Sequence, residues 1–307
     1  MRGRGCGSRD ATGRNVEAVA VYNPPTMPEP IQTHTAARYA VPLREGGSLP
    51  AIVETADEVL FVVKFRGAGQ GARALIAELI VGRLAQHLGL PVPELGIVAL
   101  DEGFGRTEPD PEIQDILRGS RGANVGLKYL DSAFTYDPVA AADLIAPARA
   151  AEIVWLDALT TNIDRTARNP NLLLWDDDLW LIDHGAALYF HHNWPSVDET
   201  RARAPFAPIR DHVLLPRASS VTDVDARLAQ RITDDTLHAV LAEVPDALLM
   251  DAPEGRTPPF GTAEANRQAY FDYFHARLRA PREFAGEAER ARQALRAARP
   301  ESLSYRR

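Results

Sequence analysis

The stretch NIDRTARNPNLLLWDDDLWLIDHGAAL, residues 162–188, decides how this chain is interpreted. Its apolar runs NLLLW and LWLID stand on either side of the acidic turn at residues 176–178, which predicts two short antiparallel strands joined by a tight turn. A hairpin brings its two ends side by side, so Asn169, before the first strand, is expected near Asp183, after the second. Asp164 precedes both on the same loop. The sequence therefore predicts a cluster of oxygen-bearing side chains at the open end of a hairpin.

These side chains divide into two chemical roles. The carboxylate of Asp183 and the amide oxygen of Asn169 are ligands that suit a hard cation such as Mg²⁺. Asp164 is left to face a substrate hydroxyl. Phosphoryl transfer uses this combination, because oxygen ligands hold Mg²⁺ on the phosphates while a separate carboxylate orients and deprotonates the nucleophile. Asn171 lies on the same loop and is an alternative metal ligand, although the spacing favours Asn169.

The basic residues of the chain are almost all arginine. Of the 34 Lys and Arg residues, only Lys64 and Lys128 are lysines, so each is a candidate for chemistry that a guanidinium performs poorly. Lys64 stands near the end of the apolar run VLFVVKF, and Glu78 follows on a predicted helix. We expect Lys64 to contact nucleotide phosphates and Glu78 to hold it there. Lys128 has two interpretations, a contact beside an adenine base or an ordinary solvated surface lysine.

The turn REGGS, residues 44–48, is a candidate cover over the same phosphates. Gly46 and Gly47 allow backbone amides to approach an anion closely, and Ser48 adds a hydroxyl. Two glycines in a hairpin turn also have a purely conformational interpretation. The GxxxxGK pattern of a Walker motif does not occur in the sequence.

The pattern of the chain changes once, near residue 138. Before it, the predicted elements are strands at 38–43, 49–54 and 59–65, a helix at 67–90, a strand at 93–102, a polar loop at about 101–120 and a strand at 122–130. After it, helical patterns dominate over 138–162 and again from 221 onward. This order predicts an α+β fold of two lobes, with a β-rich N-lobe at residues 16–130 that contains one long helix and an α-helical C-lobe at residues 131–307. Residues 1–15 are predicted to be a disordered tail.

Bulk composition narrows the class of protein. With 307 residues, 45% of them hydrophobic, the chain can bury a sizeable core, and its formal net charge of −8 disfavours binding to nucleic acid or to an anionic membrane. The sequence contains no apolar run of membrane-spanning length and no secretory signal at its start. The single cysteine, Cys6, excludes a disulfide framework. We therefore expect a cytoplasmic protein with no nucleic-acid partner and no membrane partner.

The order of these elements resembles the protein-kinase-like superfamily, and within it the HipA-like kinases, the serine/threonine kinases of bacterial persistence toxins. The likeness covers roughly residues 36–190, and the helical stretch TDDTLHAVLAEVPDALL is less specifically similar. The segments that carry it are VVKF, ELIVGRLAQHLGLPVPELGIVAL, NIDRTARNPNLLL and LIDHGAAL.

The resemblance implies a kinase that uses ATP and Mg²⁺ to phosphorylate a serine or threonine hydroxyl, on an unidentified protein or on the chain itself. Applied residue by residue, it implies that Asp164 is the catalytic base and that Asn169 and Asp183 bind Mg²⁺. It also implies that Lys64 holds the ATP phosphates and that Glu78 anchors Lys64.

The chain departs from the pattern of this superfamily in two places. Thr166 follows Asp164 and Arg165 where a histidine is common, and residues 183–185 read Asp-His-Gly rather than Asp-Phe-Gly, as in lipid-kinase relatives. Two alternatives therefore stay open, a kinase acting on a lipid headgroup or small metabolite, and a nucleotide-binding pseudokinase that serves as an interaction module. The chain is also expected to lack the N-terminal subdomain of the full-length toxins, so toxicity and a DNA-binding antitoxin partner are not carried over.

Each candidate residue also has a purely structural interpretation. Asp164 and Asn169 are common turn formers, and Asp183 is a common helix N-cap. The occurrence of all three in this order favours a shared chemical role. The histidines within residues 184–192 invite a zinc interpretation, but no acidic residue or cysteine accompanies them at metal spacing.

Overall fold

The computed structural model describes residues 28–43, 49–69, 71–106, 108–141, 144–252 and 257–298 of a mixed α/β protein. The turn that contains Gly46, Gly47 and Ser48 and the tail at residues 1–15 lie outside the described residues. The strands are β1 Gln32–Pro42, β2 Ala51–Thr55, β3 Leu60–Lys64, β4 Leu95–Leu100, β5 Gly122–Lys128, β6 Phe134–Thr135, β7 Leu172–Trp175 and β8 Asp178–Leu181. The α-helices are α1 Ala72–His87, α2 Pro111–Gly119, α3 Pro147–Leu159, α4 Glu199–Ala202, α5 Val221–Arg231, α6 Asp234–Ala242, α7 Asp246–Leu249, α8 Ala263–Leu278 and α9 Glu283–Ala298.

The first five strands form a closed barrel in the order β1-β2-β3-β5-β4. Strands β1, β2 and β3 pair antiparallel in sequence, as the alternating runs predict, and β5 pairs antiparallel with both β3 and β4. Parallel pairing of β1 with β4 closes the barrel, a contact between distant strands that local patterns do not predict. Apolar side chains fill the interior, among them Val53, Phe61, Val63 and Val98.

Helix α1 follows β3 in the chain and places Glu78 in the protein interior. The helix predicted at 67–90 begins only at Ala72, because Gly71 at its N-cap has a φ of 65°, a conformation that glycine adopts at little cost. It ends at His87, shortly before Gly89 and Pro91, as these two helix-terminating residues predict. Almost every side chain along α1 is buried, so a charged residue on it requires a partner.

Two of the predicted elements are wrong in their extent. The stretch at about 101–120, predicted as a loop, contains α2, whose N-cap Asp110 accepts a hydrogen bond from the Glu112 N–H at 2.9 Å. The helix predicted at 138–162 begins only with α3 at Pro147, because the residue before a proline favours extended backbone and Ala146 has it. In both cases a proline at the start of a helix marks the true boundary.

The helices of the second half share a core with α1. One hydrophobic cluster joins side chains from several helices, including Leu79 of α1, Trp155 of α3, Leu228 of α5, Leu237 of α6 and Phe274 of α8. Arg83 on α1 reinforces this contact by pairing with Glu243, at 2.5 Å from Nε and 2.8 Å from Nη2. The core therefore continues from the barrel-side helix into the helical half.

None of the helices in the described part of the chain combines the length and the apolar composition that a membrane span needs.

The hairpin predicted at residues 171–183 is confirmed as β7 and β8. The two strands pair antiparallel with Leu172 opposite Leu181, and β6 extends them to a three-stranded sheet. Trp175 and Trp180 pack edge to face across the strands, with ring centroids 5.2 Å apart. The open end of this hairpin faces the barrel and forms the floor of a cleft.

Candidate active site

A cleft of about 930 Å³ separates the barrel from the β7–β8 hairpin. Its walls are partly apolar, with Val62 and Leu127 from the barrel and Leu173 and Ile182 from the hairpin. Most of the polar residues singled out from the sequence line the same cleft: Lys64, Lys128, Asp164, Asn169, Asn171 and Asp183. Residues far apart in the chain are thus brought to one surface.

Lys64 lies at the inner end of the cleft between two carboxylates. Its Nζ donates to Glu78 Oε2 at 2.6 Å and to Asp183 Oδ1 at 2.5 Å. Burial by itself would lower the pKa of Lys64, but the two carboxylates outweigh it and hold the pKa above its usual value. Burial would likewise raise the pKa of Asp183, and the Lys64 ammonium holds it below the usual range. Lys64 and Asp183 are therefore both charged near neutral pH.

Glu78 connects Lys64 to the backbone beside Asp183. The Glu78 side chain is about 1% exposed, and its Oε2 also accepts a hydrogen bond from the His184 N–H at 2.9 Å. One carboxylate oxygen thus fixes both the lysine of β3 and the chain segment that follows β8.

The loop after α3 folds into a tight turn around Asp164. The Thr166 N–H donates to the carbonyl oxygens of Asp164 and Asn169, at 2.8 and 3.0 Å. Asp164 Oδ2 accepts from Asn169 Nδ2 at 2.7 Å and more weakly from Asn171 Nδ2 at 3.4 Å. The Asp164 N–H donates to Asn162 Oδ1 at 3.0 Å. These bonds orient the carboxylate of Asp164 toward the two asparagines.

The oxygen donors at the hairpin's open end fit a hard divalent cation. Asn169 and Asn171 both turn their amide nitrogens to Asp164, which leaves the amide oxygen of each as an acceptor. Asn171 and Asp183 have positive φ angles of 49° and 54°. The Ile182 N–H donates to Asn171 O at 3.1 Å and so ties the two ends of the hairpin together. Carboxylate and amide oxygens are ligands that Mg²⁺ accepts, and either asparagine can supply one.

A buried ionic network that the sequence patterns did not predict lies directly beneath this loop. Arg165 and Asp157 both have fully buried side chains, and Arg165 Nε donates to Asp157 Oδ2 at 2.6 Å. Asp157 also accepts from His212 Nε2 at 2.8 Å and from Asn162 Nδ2 at 3.1 Å. Burial would raise the pKa of Asp157, but Arg165 and His212 hold it well below the usual range.

One signal for this network is visible in the sequence. Asp157 is a carboxylate inside the apolar helical run EIVWLDAL, where burial requires a partner of opposite charge. The partner it finds, Arg165, stands next to Asp164 in the loop. His212 belongs to a later segment, and no local pattern points to it.

His184 occupies the centre of the Asp-His-Gly tripeptide and is completely buried. Its Nδ1 accepts from Arg165 Nη2 at 3.2 Å. Burial lowers the pKa of His184 to about 4, so the imidazole is neutral near pH 7. Among the described residues, no three His, Cys, Asp or Glu side chains form a group that could hold a metal ion, which leaves the zinc interpretation without geometric support.

Lys128 lies at the lip of the cleft rather than inside it. Its side chain is about half exposed and pairs with Glu94 at 3.0 Å. Tyr129 and Leu130, which follow it, also line the cleft beside the apolar walls. The apolar walls of this part of the cleft suit a flat aromatic ring, and the ion pair with Glu94 suits a solvated surface lysine.

Comparison with known proteins gives one family match. A family model described as HipA-like kinase matches residues 40–260, a range that contains every residue of the cleft discussed above. Among solved structures, the crystal structure of the Helicobacter pylori proinflammatory kinase CtkA is similar with 12% sequence identity and a TM-score of 0.48, over 87% of this chain and 99% of that chain. No curated protein sequence matches the chain.

Proposed function

This chain belongs to the HipA-like kinase family, and from that membership we propose that it is an ATP- and Mg²⁺-dependent kinase that phosphorylates a serine or threonine hydroxyl. The proposed acceptor is a hydroxyl of a protein, either another protein or this chain itself. The observation that carries the proposal is the position of Lys64, whose Nζ contacts both Glu78 and Asp183 in the cleft that Asp164 lines.

Lys64 binds the phosphates of the nucleotide. Its ammonium has three N–H donors, and Glu78 and Asp183 accept two hydrogen bonds from it. One donor is left for a phosphate oxygen. Glu78 keeps the ammonium directed into the cleft, because Glu78 is itself held in place on the buried helix α1.

Asp164 is the catalytic base. Hydrogen bonds to Oδ2 from Asn169 and Asn171 fix the orientation of the carboxylate and leave its second oxygen for the acceptor hydroxyl. As the O–P bond to the acceptor forms, the bond between the γ-phosphorus and the β–γ bridging oxygen of ATP breaks and ADP leaves, while the free oxygen of Asp164 takes the hydroxyl proton. The rate enhancement comes from positioning and from stabilisation of charge rather than from a covalent enzyme intermediate.

Asp183 and Asn169 are the proposed Mg²⁺ ligands, with Asn171 as the alternative to Asn169. Bound Mg²⁺ would supply positive charge to the phosphate oxygens during transfer.

The nucleotide base is proposed to occupy the apolar part of the cleft beside Lys128, and Gly46, Gly47 and Ser48 are proposed to contact the phosphates. The proposed division is an N-lobe at residues 16–130 and a C-lobe at residues 131–307, with the cleft between them and a tail at residues 1–15.

Transfer from labelled ATP tests the proposal. The purified protein is incubated with labelled ATP and Mg²⁺, alone and with cell extract, and both proteins and small molecules are examined for label. We expect label on protein serine or threonine, and a loss of at least about 100-fold in Asp164→Ala, because the base is removed. Asp115→Ala, an exposed carboxylate on α2, is the matched control and should transfer normally.

Three results would contradict parts of the proposal. Equal transfer by Asp164→Ala and the control would show that Asp164 is not the base. Label found on a lipid or metabolite instead of protein would show that the acceptor class is wrong. A rise in melting temperature with Mg²⁺ and ATP but no transfer at all would indicate a nucleotide-binding pseudokinase.

A further inference from the structure

The guanidinium of Arg165 lies buried beneath the cleft and donates to four partners. It is fixed on one side by Asp157, through the 2.6 Å bond from Nε to Oδ2. On its other side it donates from Nη1 to the carbonyl oxygen of Asn171 and, at 3.3 Å, to that of Ile182. Its Nη2 donates to His184 Nδ1 at 3.2 Å. Four partners from three segments of the chain thus meet at one side chain.

Three of these partners, Asn171, Ile182 and His184, are a proposed functional residue or the neighbours of one. Arg165 itself follows Asp164 in the chain, Asn171 is a candidate ligand, and Ile182 and His184 stand on either side of Asp183. The guanidinium touches none of the cleft-facing carboxylates, so any effect it has on them passes through the backbone. A displacement of this one group would shift all three proposed functional residues relative to one another.

The number and geometry of these bonds require an arginine. A guanidinium offers five donors in a rigid planar fork, whereas a lysine ammonium offers three donors at a single point. A lysine at position 165 can neutralise Asp157, but it cannot also reach Asn171, Ile182 and His184 in the same plane. The substitution therefore keeps the charge and removes the cross-link.

Burial alone does not give an arginine this role, as a second example in the same protein shows. Arg277 is about 2% exposed and donates to the carbonyl oxygens of Ala158, Leu159, Ala202 and Ala204 at 2.7 to 2.9 Å. Its partners are helix ends and connections, and no proposed functional residue is among them. The two arginines match in burial and in number of partners and differ in what they hold.

We infer that Arg165 is a positioning residue of the phosphoryl-transfer site, which holds Asp164, Asn171 and Asp183 in register by cross-linking their backbone neighbours, with Asp157 fixing the guanidinium. This inference rests on the proposed function of the cleft and extends it to a group that does not contact the reacting atoms. Residues that orient ligand-bearing groups in this way commonly change metal affinity or activity by about 10- to 100-fold when they are replaced.

The test compares Arg165→Lys with the matched variant Arg277→Lys. For each protein we measure the melting temperature, and then kcat and the KM for ATP in the transfer assay. Both variants should melt at a lower temperature. Arg165→Lys should lower kcat by about 100-fold with the KM for ATP changed by less than about threefold, since a misplacement of roughly 1 Å in reacting groups costs about that much. Arg277→Lys should keep kcat within about threefold of the wild type.

Other results would overturn the inference. A kcat of Arg165→Lys within threefold of wild type would do so, as would an equal loss in both variants or a loss confined to the KM for ATP. If Arg165→Lys does not yield folded protein, Asp157→Asn, which keeps the shape of the partner and releases the guanidinium, is measured with the same expectations.

Failure of the proposed function is separately visible in the wild type. If the wild type binds ATP with Mg²⁺ but transfers no phosphate, the Mg²⁺ concentration for half-maximal ATP binding replaces kcat as the measurement. Arg165→Lys should then raise that concentration about tenfold and Arg277→Lys should leave it unchanged. Equal values in the two variants would overturn the positioning role, and a wild type that binds no nucleotide would overturn both proposals.

Discussion

Two charged clusters lie next to each other at the open end of the β7–β8 hairpin, and they differ in their access to solvent. In the first, Lys64 joins Glu78 to Asp183, whose side chain is 38% exposed and lines the cleft. In the second, the side chains of Arg165 and Asp157 are both completely buried. Charges at a cleft can exchange one partner for a ligand, whereas sealed charges depend wholly on the partners that the fold supplies. The cluster at the cleft is therefore suited to bind a ligand, and the sealed cluster is suited to hold the ligand-binding residues in place.

The largest expected effect comes from breaking the sealed cluster. Asp157→Ala leaves the buried guanidinium of Arg165 without its carboxylate, and loss of one partner from a buried ion pair typically costs about 3–5 kcal/mol. We expect the free energy of unfolding in urea to fall by that amount. The exposed carboxylate variant Asp115→Ala should change it by less than about 0.5 kcal/mol. Equal stabilities of the two variants would show that the sealed pair contributes little.

The second effect concerns the cluster at the cleft. Lys64→Arg keeps the positive charge but replaces a compact ammonium by a wide planar group between Glu78 and Asp183. Phosphoryl transfer should fall by about 100-fold, comparable to the loss of one preorganised donor at a reaction centre. The circular dichroism spectrum should stay that of the wild type.

Arg118→Lys on α2, where the side chain is exposed, serves as the control for this substitution and should transfer phosphate normally. Near-normal transfer by Lys64→Arg would show that Lys64 is an ordinary strand residue.

The smallest expected effect is on the pH dependence of stability, and it tests the burial of His184. His184 is neutral in the folded protein because its pKa is lowered to about 4, while the unfolded chain takes up a proton near the usual value of 6.5. The unfolded state thus binds more protons between these values, so stability falls as pH falls from about 6.5 toward 4.

Replacement of His184 removes the one proton that the unfolded chain takes up at this residue. In His184→Asn, the slope of the unfolding free energy against pH should decrease by about 1.4 kcal/mol per pH unit within that window. Above pH 7 the slopes of variant and wild type should coincide. An unchanged slope at acidic pH would mean that His184 can be protonated in the folded protein.

Local patterns predicted much of this architecture because short elements depend on neighbouring residues. The hairpin after residue 171, the three antiparallel strands that end with Lys64 and the helix that carries Glu78 all follow from alternation or helical spacing within a few residues. Helix α2 also has local signals, its N-cap Asp110 and the following Pro111, although the polar composition of the segment predicts a loop. The parallel contact of β1 with β4 has no such signal, since pairing between distant strands depends on the rest of the barrel.

The sequence by itself determined which side chains are available for chemistry: one lysine at a strand end, an aspartate and two asparagines on one loop, and an aspartate after a hairpin. Tertiary structure decided their partners. Lys64 reaches Asp183 across 119 positions of sequence, and His212 reaches Asp157 across 55. A buried charge must be neutralised by whichever groups the fold packs against it, and packing between distant segments leaves no periodic trace in the sequence.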